Sequence, residues 1–280
     1  MSRRGGNDWS VPQISRLSTG QNLRQRAPML TPLRVLSFLA LTTAFAISSH
    51  AAELPIIAKA RAYLGTEAAL NAIKSVRYDG TITSPDPNDA SKQTRATIEI
   101  IVQKPDQQRV VARSDKGVET TAVDGYEAWQ RFQDTANPKN QRLVVLKPDG
   151  VKRLRAQAWE NLSFYRGLEA RGGKVEDQGT ATVDGITCQK VAFIHAPNVI
   201  FRRYFDVATG RLVQTETEDG GITREEGERV VAGVRFPTTM KMTVKSAKAE
   251  TQWVTIALES IAVNETLPAA VFRLPSPGSP

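Results

Sequence analysis

Cysteine and histidine are nearly missing from this chain of 280 residues, which has one cysteine and two histidines. A single cysteine excludes an intramolecular disulfide framework and any zinc site built from several cysteines. Two histidines supply too few ligands for a histidine-rich metal site. Phosphate-binding glycine loops and the dinucleotide fingerprint do not occur in the sequence either. We therefore expect no metal ion and no cofactor.

The sequence also lacks the residues that nucleophilic catalysis usually requires. His195 is the only histidine after residue 51, and no Gly-x-Ser-x-Gly elbow is present to supply a nucleophile. We interpret His195 as a structural or exposed residue of a strand over residues 186–196. Cys188 lies on the same strand and is interpreted as a small core residue, because a reactive thiol needs an electropositive, partly exposed site. The sequence thus predicts a protein that is not an enzyme.

Only one long apolar run occurs, over residues 35–47. Its 13 residues are too few to span a bilayer, which takes roughly 20, but they match the apolar region of a signal peptide. The small residues Ser49 and Ala51 then place cleavage after Ala51. We predict a polar leader or mis-assigned start at 1–28, a signal peptide at 29–51 and a single domain at 52–280. The mature protein would be exported, without stable membrane insertion.

Most of the net positive charge of the chain lies in residues 1–51. The net charge is +8, and residues 1–51 hold six arginines and one aspartate, a net charge of +5. The remaining residues therefore carry only +3. The basic and aromatic residues near 201–205 do not form the exposed row on one sheet face that single-stranded nucleic acid needs. We expect no nucleic-acid partner.

What the mature chain does have is alternation of apolar and polar residues. Segments 76–82, 96–102 and 238–244 each read as a strand with one apolar face. Asp-Gly pairs at 124–125, 184–185 and 219–220 predict hairpin turns between such segments. The pattern predicts an antiparallel meander of about ten strands, the last over residues 270–274. A sheet of that size must curl strongly or close.

Two segments have helical spacing instead. Residues 54–73 predict two short helices or one helix broken at Gly65, and residues 151–168 predict a second helix that ends at Gly172-Gly173. The fold class is therefore α+β, with helices covering the concave apolar face of the sheet. Residues 224–229 are polar on both faces, and we interpret them as a solvated hairpin at a sheet edge.

Several stretches resemble periplasmic LolA-like proteins, the superfamily of outer-membrane lipoprotein-sorting and carrier-like proteins. They keep one order along the chain, and they are residues 62–76, 78–81, 123–129, 183–191, 204–213, 234–238 and 271–275. The resemblance implies an unclosed half-barrel of antiparallel strands with helices over its hydrophobic concavity. It also implies binding of lipid or lipoprotein acyl chains, and it brings no catalytic motif.

The first hypothesis is accordingly a carrier or binder of a lipid or lipoprotein acyl chain. Its expected hydrophobic lining is Ile82, Ile98, Ile100, Met240, Met242 and Val244. The alternative is a non-catalytic envelope sensor or interaction module on the same fold, which would meet an envelope protein at an edge such as residues 222–230. A third hypothesis, an envelope hydrolase, needs an acid pair or a nucleophile that the sequence does not offer.

Overall fold

The computed structural model describes residues 53–86, 92–245 and 251–275, which build a large antiparallel sheet with three α-helices. The helices are α1 (Pro55–Leu64), α2 (Glu67–Ala72) and α3 (Pro148–Ser163). The strands before α3 are β1 (Ser75–Pro85), β2 (Gln93–Gln103), β3 (Gln107–Arg113), β4 (Gly117–Asp124), β5 (Glu127–Asp134) and β6 (Gln141–Val145). Those after α3 are β7 (Lys174–Val183), β8 (Ile186–Ala196), β9 (Val199–Asp206), β10 (Leu212–Thr217), β11 (Ile222–Glu226), β12 (Arg229–Val231), β13 (Val234–Phe236), β14 (Thr239–Lys245) and β15 (Thr251–Val263).

Thirteen of these strands share one sheet, in the order β6-β5-β4-β3-β2-β1-β15-β14-β11-β10-β9-β8-β7, and β12 and β13 form a separate hairpin. The first and last strands of the chain, β1 and β15, pair at the centre. The outer strands β6 and β7 do not pair with each other within the described segments, so the sheet is open. The predicted α+β class with an unclosed antiparallel sheet is confirmed, with thirteen strands rather than about ten.

The position of α3 shows how strongly the sheet curls. This helix connects the two outer strands and contacts β2, β3, β4, β5 and β9. In a flat sheet β5 and β9 would lie about 40 Å apart, whereas a helix of 16 residues is only about 24 Å long. The sheet therefore wraps around α3, and the predicted cover of helices on the concave face is confirmed.

Helices α1 and α2 cover a further part of this face and are separated at Gly65, as predicted. The backbone of Gly65 forms a bridge with Val234 of β13. A Cβ at Gly65 would lie 2.5 Å from the carbonyl oxygen of Gly233, so the approach requires glycine. Thr66 then caps α2, since its hydroxyl accepts a hydrogen bond from the Ala69 amide at 3.2 Å. The helix break is therefore also the contact with the small hairpin.

The predicted strand over residues 270–274 is wrong. Residues Ala269–Val271 form a single turn of 3-10 helix, and Phe272 after it is buried at 1% exposure. The Trp129 indole donates a hydrogen bond to the Phe272 carbonyl at 3.0 Å. Trp129 points to the convex face of β5, opposite to Ala128, which packs against α3. The apolar residues of this segment thus cover the back of the sheet instead of extending it.

Helix α3 also ends earlier than predicted, at Ser163 instead of Leu168. Phe164 and Tyr165 have positive φ angles of 49° and 69°, which turn the chain sharply. Phe164 packs among the residues beneath α2, whereas Tyr165 packs beneath α1. Burial of two aromatic rings in different clusters ends the helix, and the glycines at 172–173 come after it.

The predicted edge hairpin over residues 224–229 is wrong as well. Strand β11 pairs with β10 on one side and with β14 on the other, so it lies inside the sheet. The pairing with β14 skips over the hairpin of β12 and β13, and local polarity does not reveal it. Residues 1–52, which hold the predicted leader, signal peptide and cleavage site, lie outside the described residues. The division of the chain into those parts stays a prediction.

A buried carboxylate fastens α3 to the far half of the sheet. Glu160 of α3 is 4% exposed, and its Oε1 lies 2.6 Å from Nε2 of His195 on β8. Its Oε2 accepts a short hydrogen bond from the guanidinium of Arg203 on β9, a residue that is itself 7% exposed. The same guanidinium lies 4.9 Å from the ring centres of Tyr165 and Phe193. One ion pair thus joins a helix, two strands and an aromatic cluster.

Removal of the Glu160 carboxylate should destabilise the fold strongly. We expect Glu160→Ala to lower the free energy of unfolding by about 3–5 kcal/mol, because Arg203 is left buried and unpaired. Urea denaturation followed by circular dichroism measures the change. Glu176→Ala, at an exposed position of β7, is the control and should stay within about 0.5 kcal/mol of the unaltered protein. A loss below about 1 kcal/mol for Glu160→Ala would contradict this assignment.

Candidate functional site

The six residues expected from the sequence to line a ligand site all lie on the concave face. Register places them side by side on neighbouring strands: Ile82 and Ile98 belong to paired strands β1 and β2, and Met240 and Met242 oppose Ile256 and Val254 across β14 and β15. Ile98 is buried and the other five are half-buried. We call this surface the apolar strip, made of Ile82, Ile98, Ile100, Met240, Met242 and Val244.

Five residues of the apolar strip pack into one cluster with Ile256 and Leu258. No residue of α1, α2 or α3 belongs to this cluster, whereas each of the three helices contributes to other clusters on the same face. Ile100 also packs against the cluster that holds Leu70 of α2 and Leu162 of α3. The strip is therefore concave and apolar, and it begins where the helical cover ends. The lining role of the six residues stays a prediction.

An inner cavity of about 240 Å³ lies beside the strip, between the end of α1 and strands β10 and β11. Tyr63, Leu64, Tyr165, Arg211, Glu225 and Phe236 are among its lining residues. An outer cavity of about 460 Å³ adjoins it and shares Tyr63, Leu64 and Arg235 with it. The outer volume falls within the range of small-molecule sites, which is about 300–1,000 Å³.

A polar group of three side chains separates the two cavities. The Tyr63 hydroxyl donates a short hydrogen bond to Glu228 Oε1, and Arg235 Nη1 lies 3.0 Å from Glu228 Oε2. Arg235 Nε also donates to the Tyr63 carbonyl at 2.9 Å. Burial, with the Glu228 carboxylate beside it, raises the pKa of Tyr63 to about 12. The tyrosine therefore stays protonated and donates to Glu228 at any physiological pH.

Glu225 is a functional candidate that the sequence analysis missed. Its side chain points into the concavity, because Glu225 opposes Met240 across β11 and β14 and lines the inner cavity. Among the described residues its carboxylate makes no hydrogen bond and no ion pair. Burial raises the pKa of Glu225, and the charge of Arg203 opposes this effect only in part. The glutamate at 225 reads as surface charge in the sequence, and only the pairing of β11 shows that it faces inward.

Arg211 is a second candidate that the sequence did not indicate. It follows Gly210, whose φ is +82° and whose Cβ position would lie 2.7 Å from the backbone of Lys59. This turn between β9 and β10 thus packs directly on α1 and places Arg211 at the inner cavity. The Arg211 guanidinium makes no hydrogen bond and no ion pair with the residues that the structure describes. Its charge nevertheless lowers the pKa of Glu228, after the Tyr63 and Arg235 hydrogen bonds.

His195 and Cys188 have structural surroundings. His195 contacts Glu160 and lies 5.5 Å from the Trp159 ring, centre to centre. Cys188 is fully buried, and burial raises the pKa of its thiol. Within the described ranges, no group of three or more His, Cys, Asp and Glu side chains is arranged to hold a metal ion. Across residues 53–86, 92–245 and 251–275, no helix has the length and hydropathy needed to cross a bilayer.

Replacement of Glu225 by glutamine should stabilise the protein in a pH-dependent way. A carboxyl whose pKa is higher in the folded than in the unfolded state favours folding when protonated, and this contribution disappears as the pH rises above the unfolded value of 4.5. We therefore expect Glu225→Gln to raise the free energy of unfolding at pH 7, with a gain that shrinks toward pH 4.5. Urea denaturation over this pH range measures it.

The neighbouring residue is a matched control for this experiment. Glu226 is exposed and pairs with Lys241 at 2.9 Å, so Glu226→Gln should change the stability by no more than about 0.5 kcal/mol at either pH. A Glu225→Gln variant that is less stable than the unaltered protein at pH 7 would show that the carboxylate is ionised and favourably solvated.

No protein-family model matches the chain, and the comparison with curated proteins gave no match. Among solved structures, a DUF1329 family protein from Desulfovibrio piger is 10% identical, with 78% of this chain and 95% of that chain covered and a TM-score of 0.49. A LolA superfamily protein from Nitrosomonas europaea is 11% identical over 78% and 96%, with a TM-score of 0.48. A Vibrio parahaemolyticus domain, titled for outer membrane lipoprotein sorting, is 11% identical over 77% and 94%, with a TM-score of 0.49. One of these neighbours thus belongs to the superfamily that the sequence resembles.

Proposed function

We propose that this protein is an exported, periplasmic carrier or binding protein for a lipid or lipoprotein acyl chain. The observation that carries the proposal is the apolar strip, a concave surface of half-buried aliphatic side chains and methionines beside an inner cavity. Methionine is a flexible, polarisable side chain that adapts to ligands of irregular shape. The resemblance to LolA-like proteins leads to the same proposal independently of this geometry.

The energetics of the strip suit an acyl chain. Transfer of a methylene group from water to an apolar surface gains about 0.8 kcal/mol, so burial of eight methylenes would contribute about 6 kcal/mol before the cost of association. This is enough for reversible binding of a chain and does not require a closed pocket. A carrier needs such reversibility, because it has to release its cargo.

We also propose that the protein acts without catalysis. In the described part of the chain, the lone cysteine is buried in the core, and the lone histidine is half-buried and contacts Glu160. The unpaired polar groups at the inner cavity, Glu225 and Arg211, are suited to recognition. No nucleophile is assigned beside them.

The alternative function, an envelope sensor or interaction module, is favoured by one observation. The five residues of β6 are all exposed at an outer edge of the sheet, and Leu143, Val144 and Val145 are 41%, 40% and 59% exposed. An exposed apolar edge strand presents unpaired backbone groups to another chain. The sequence predicted that a partner would bind at residues 222–230. Because β11 lies inside the sheet, the edge proposed for this partner is β6 instead.

Acyl binding can be tested with a polar change in the strip. We expect the double variant Met240→Gln, Met242→Gln to bind a fluorescent 16-carbon fatty acid about tenfold or more weakly, since each amide must be desolvated against the chain. Fluorescence titration of delipidated protein measures the dissociation constant. Native mass spectrometry of protein purified from periplasm should in addition show a bound lipid.

Lys241 provides the matched control, because it lies between the two methionines and points to the opposite face. Lys241→Gln should bind the probe as the unaltered protein does. No probe uptake by the unaltered protein, together with no co-purified lipid, would rule out the carrier role. If Val145→Lys then removed a specific partner from a periplasmic pull-down, the interaction module would be the better description.

A further inference from the structure

The inner cavity joins an apolar end to a polar end. Glu225 lines the cavity and opposes Met240 of the apolar strip across β11 and β14, so the strip and the cavity adjoin at this pair. At the other end the cavity reaches Arg211 and the group formed by Tyr63, Glu228 and Arg235. A surface with this polarity suits an amphipathic molecule lying along it, tail on the strip and head group in the cavity.

The polar end carries one unmatched positive charge. Arg235 pairs with Glu228 at 3.0 Å, whereas the half-buried Arg211 guanidinium has no hydrogen-bonding partner among the described residues. Arg235 and Glu228 therefore satisfy each other, which leaves Arg211 as the lining guanidinium without a hydrogen-bonded carboxylate among the described residues. A partly desolvated guanidinium without a partner is costly, and a bidentate anion such as a carboxylate is the group that fits its planar fork.

Glu225 lies at the junction of strip and cavity. Burial raises the pKa of its carboxyl, so the charged carboxylate is less favourable here than in water. A neutral carboxylic acid can donate a hydrogen bond to a bound anion. The charged side chains that line the cavity are Arg211, Arg235, Glu225 and Glu228. Because Glu228 is paired with Arg235, an anionic head group has Arg211 as its available partner, whereas an ammonium group would have to compete with Arg235 for Glu228.

We propose that the inner cavity binds the carboxylate head group of a free fatty acid, with Arg211 as its cationic partner and Glu225 as a hydrogen-bond donor. The cavity of about 240 Å³ holds a carboxylate and the first part of a chain, and the remainder of the chain lies on the apolar strip. This inference rests on the proposed function and narrows it to acids. Esterified chains lack the charge that Arg211 would recognise.

The test compares head groups on one chain length with the purified, delipidated protein. Palmitate should bind about tenfold or more tightly than methyl palmitate, and Arg211→Gln should remove most of that preference while leaving methyl palmitate binding unchanged. Glu225→Gln keeps a hydrogen-bond donor and should bind palmitate at least as tightly as the unaltered protein. Isothermal titration or competition against the fluorescent fatty acid gives the constants.

Arg202→Gln is the matched control, because Arg202 precedes Arg203 on β9 and its side chain points to the opposite face of the sheet. It should leave the preference for palmitate intact. Equal binding of palmitate and methyl palmitate, or tighter binding of hexadecylamine, would overturn the proposal while the carrier role stood. Tighter binding of lysophosphatidate than of palmitate would overturn the carboxylate assignment in favour of a phosphate. If none of the four amphiphiles bound, the carrier role itself would fail.

Discussion

Three helices of 10, 6 and 16 residues cover one face of a sheet of thirteen strands. The sheet reduces the area in need of cover by wrapping around α3, and the buried pair of Glu160 and Arg203 fixes this helix to the far strands. Cover is nevertheless incomplete over β1, β2, β14 and β15, where the cluster of apolar side chains contains no helical residue. An open concavity follows from this mismatch of helix and sheet area, and both proposals depend on it.

The two outer strands, β6 and β7, differ in the side chains that they expose to solvent. Strand β6 leaves three aliphatic side chains 40–59% exposed, whereas β7 carries mainly polar and exposed residues. At the centre, β1 pairs with β15, and these two segments lie nearly two hundred residues apart in the sequence, as the pairing of Val76 with Val263 shows. Because such pairing has to wait for the whole chain, the sheet is of the slow-folding, non-local kind.

Alternation in the sequence was a reliable guide wherever one face of a strand is buried. It placed Ile82, Ile98 and Met242 on one face, and Asp-Gly pairs marked the turns at 124–125, 184–185 and 219–220. It was wrong for β11, because this polar strand lies inside the sheet, between β10 and β14, and its residue Glu225 lines the inner cavity. It was also wrong for residues 270–274, where Phe272 is buried without pairing in a strand, and its carbonyl accepts a hydrogen bond from the Trp129 indole.

The sequence alone determined the class of the fold, the face of each regular strand and the shortage of catalytic groups, since all three depend on local pattern and composition. Tertiary structure alone decided which strands are edges, where the helical cover stops, and that Glu225 and Arg211 meet at one cavity. Glu225 lies on β11 and Arg211 in the turn before β10. The pairing of β10 with β11 and the close contact of Gly210 with α1 bring them together. Their charges read as solvent-exposed in the sequence, and only burial gives them a part in binding.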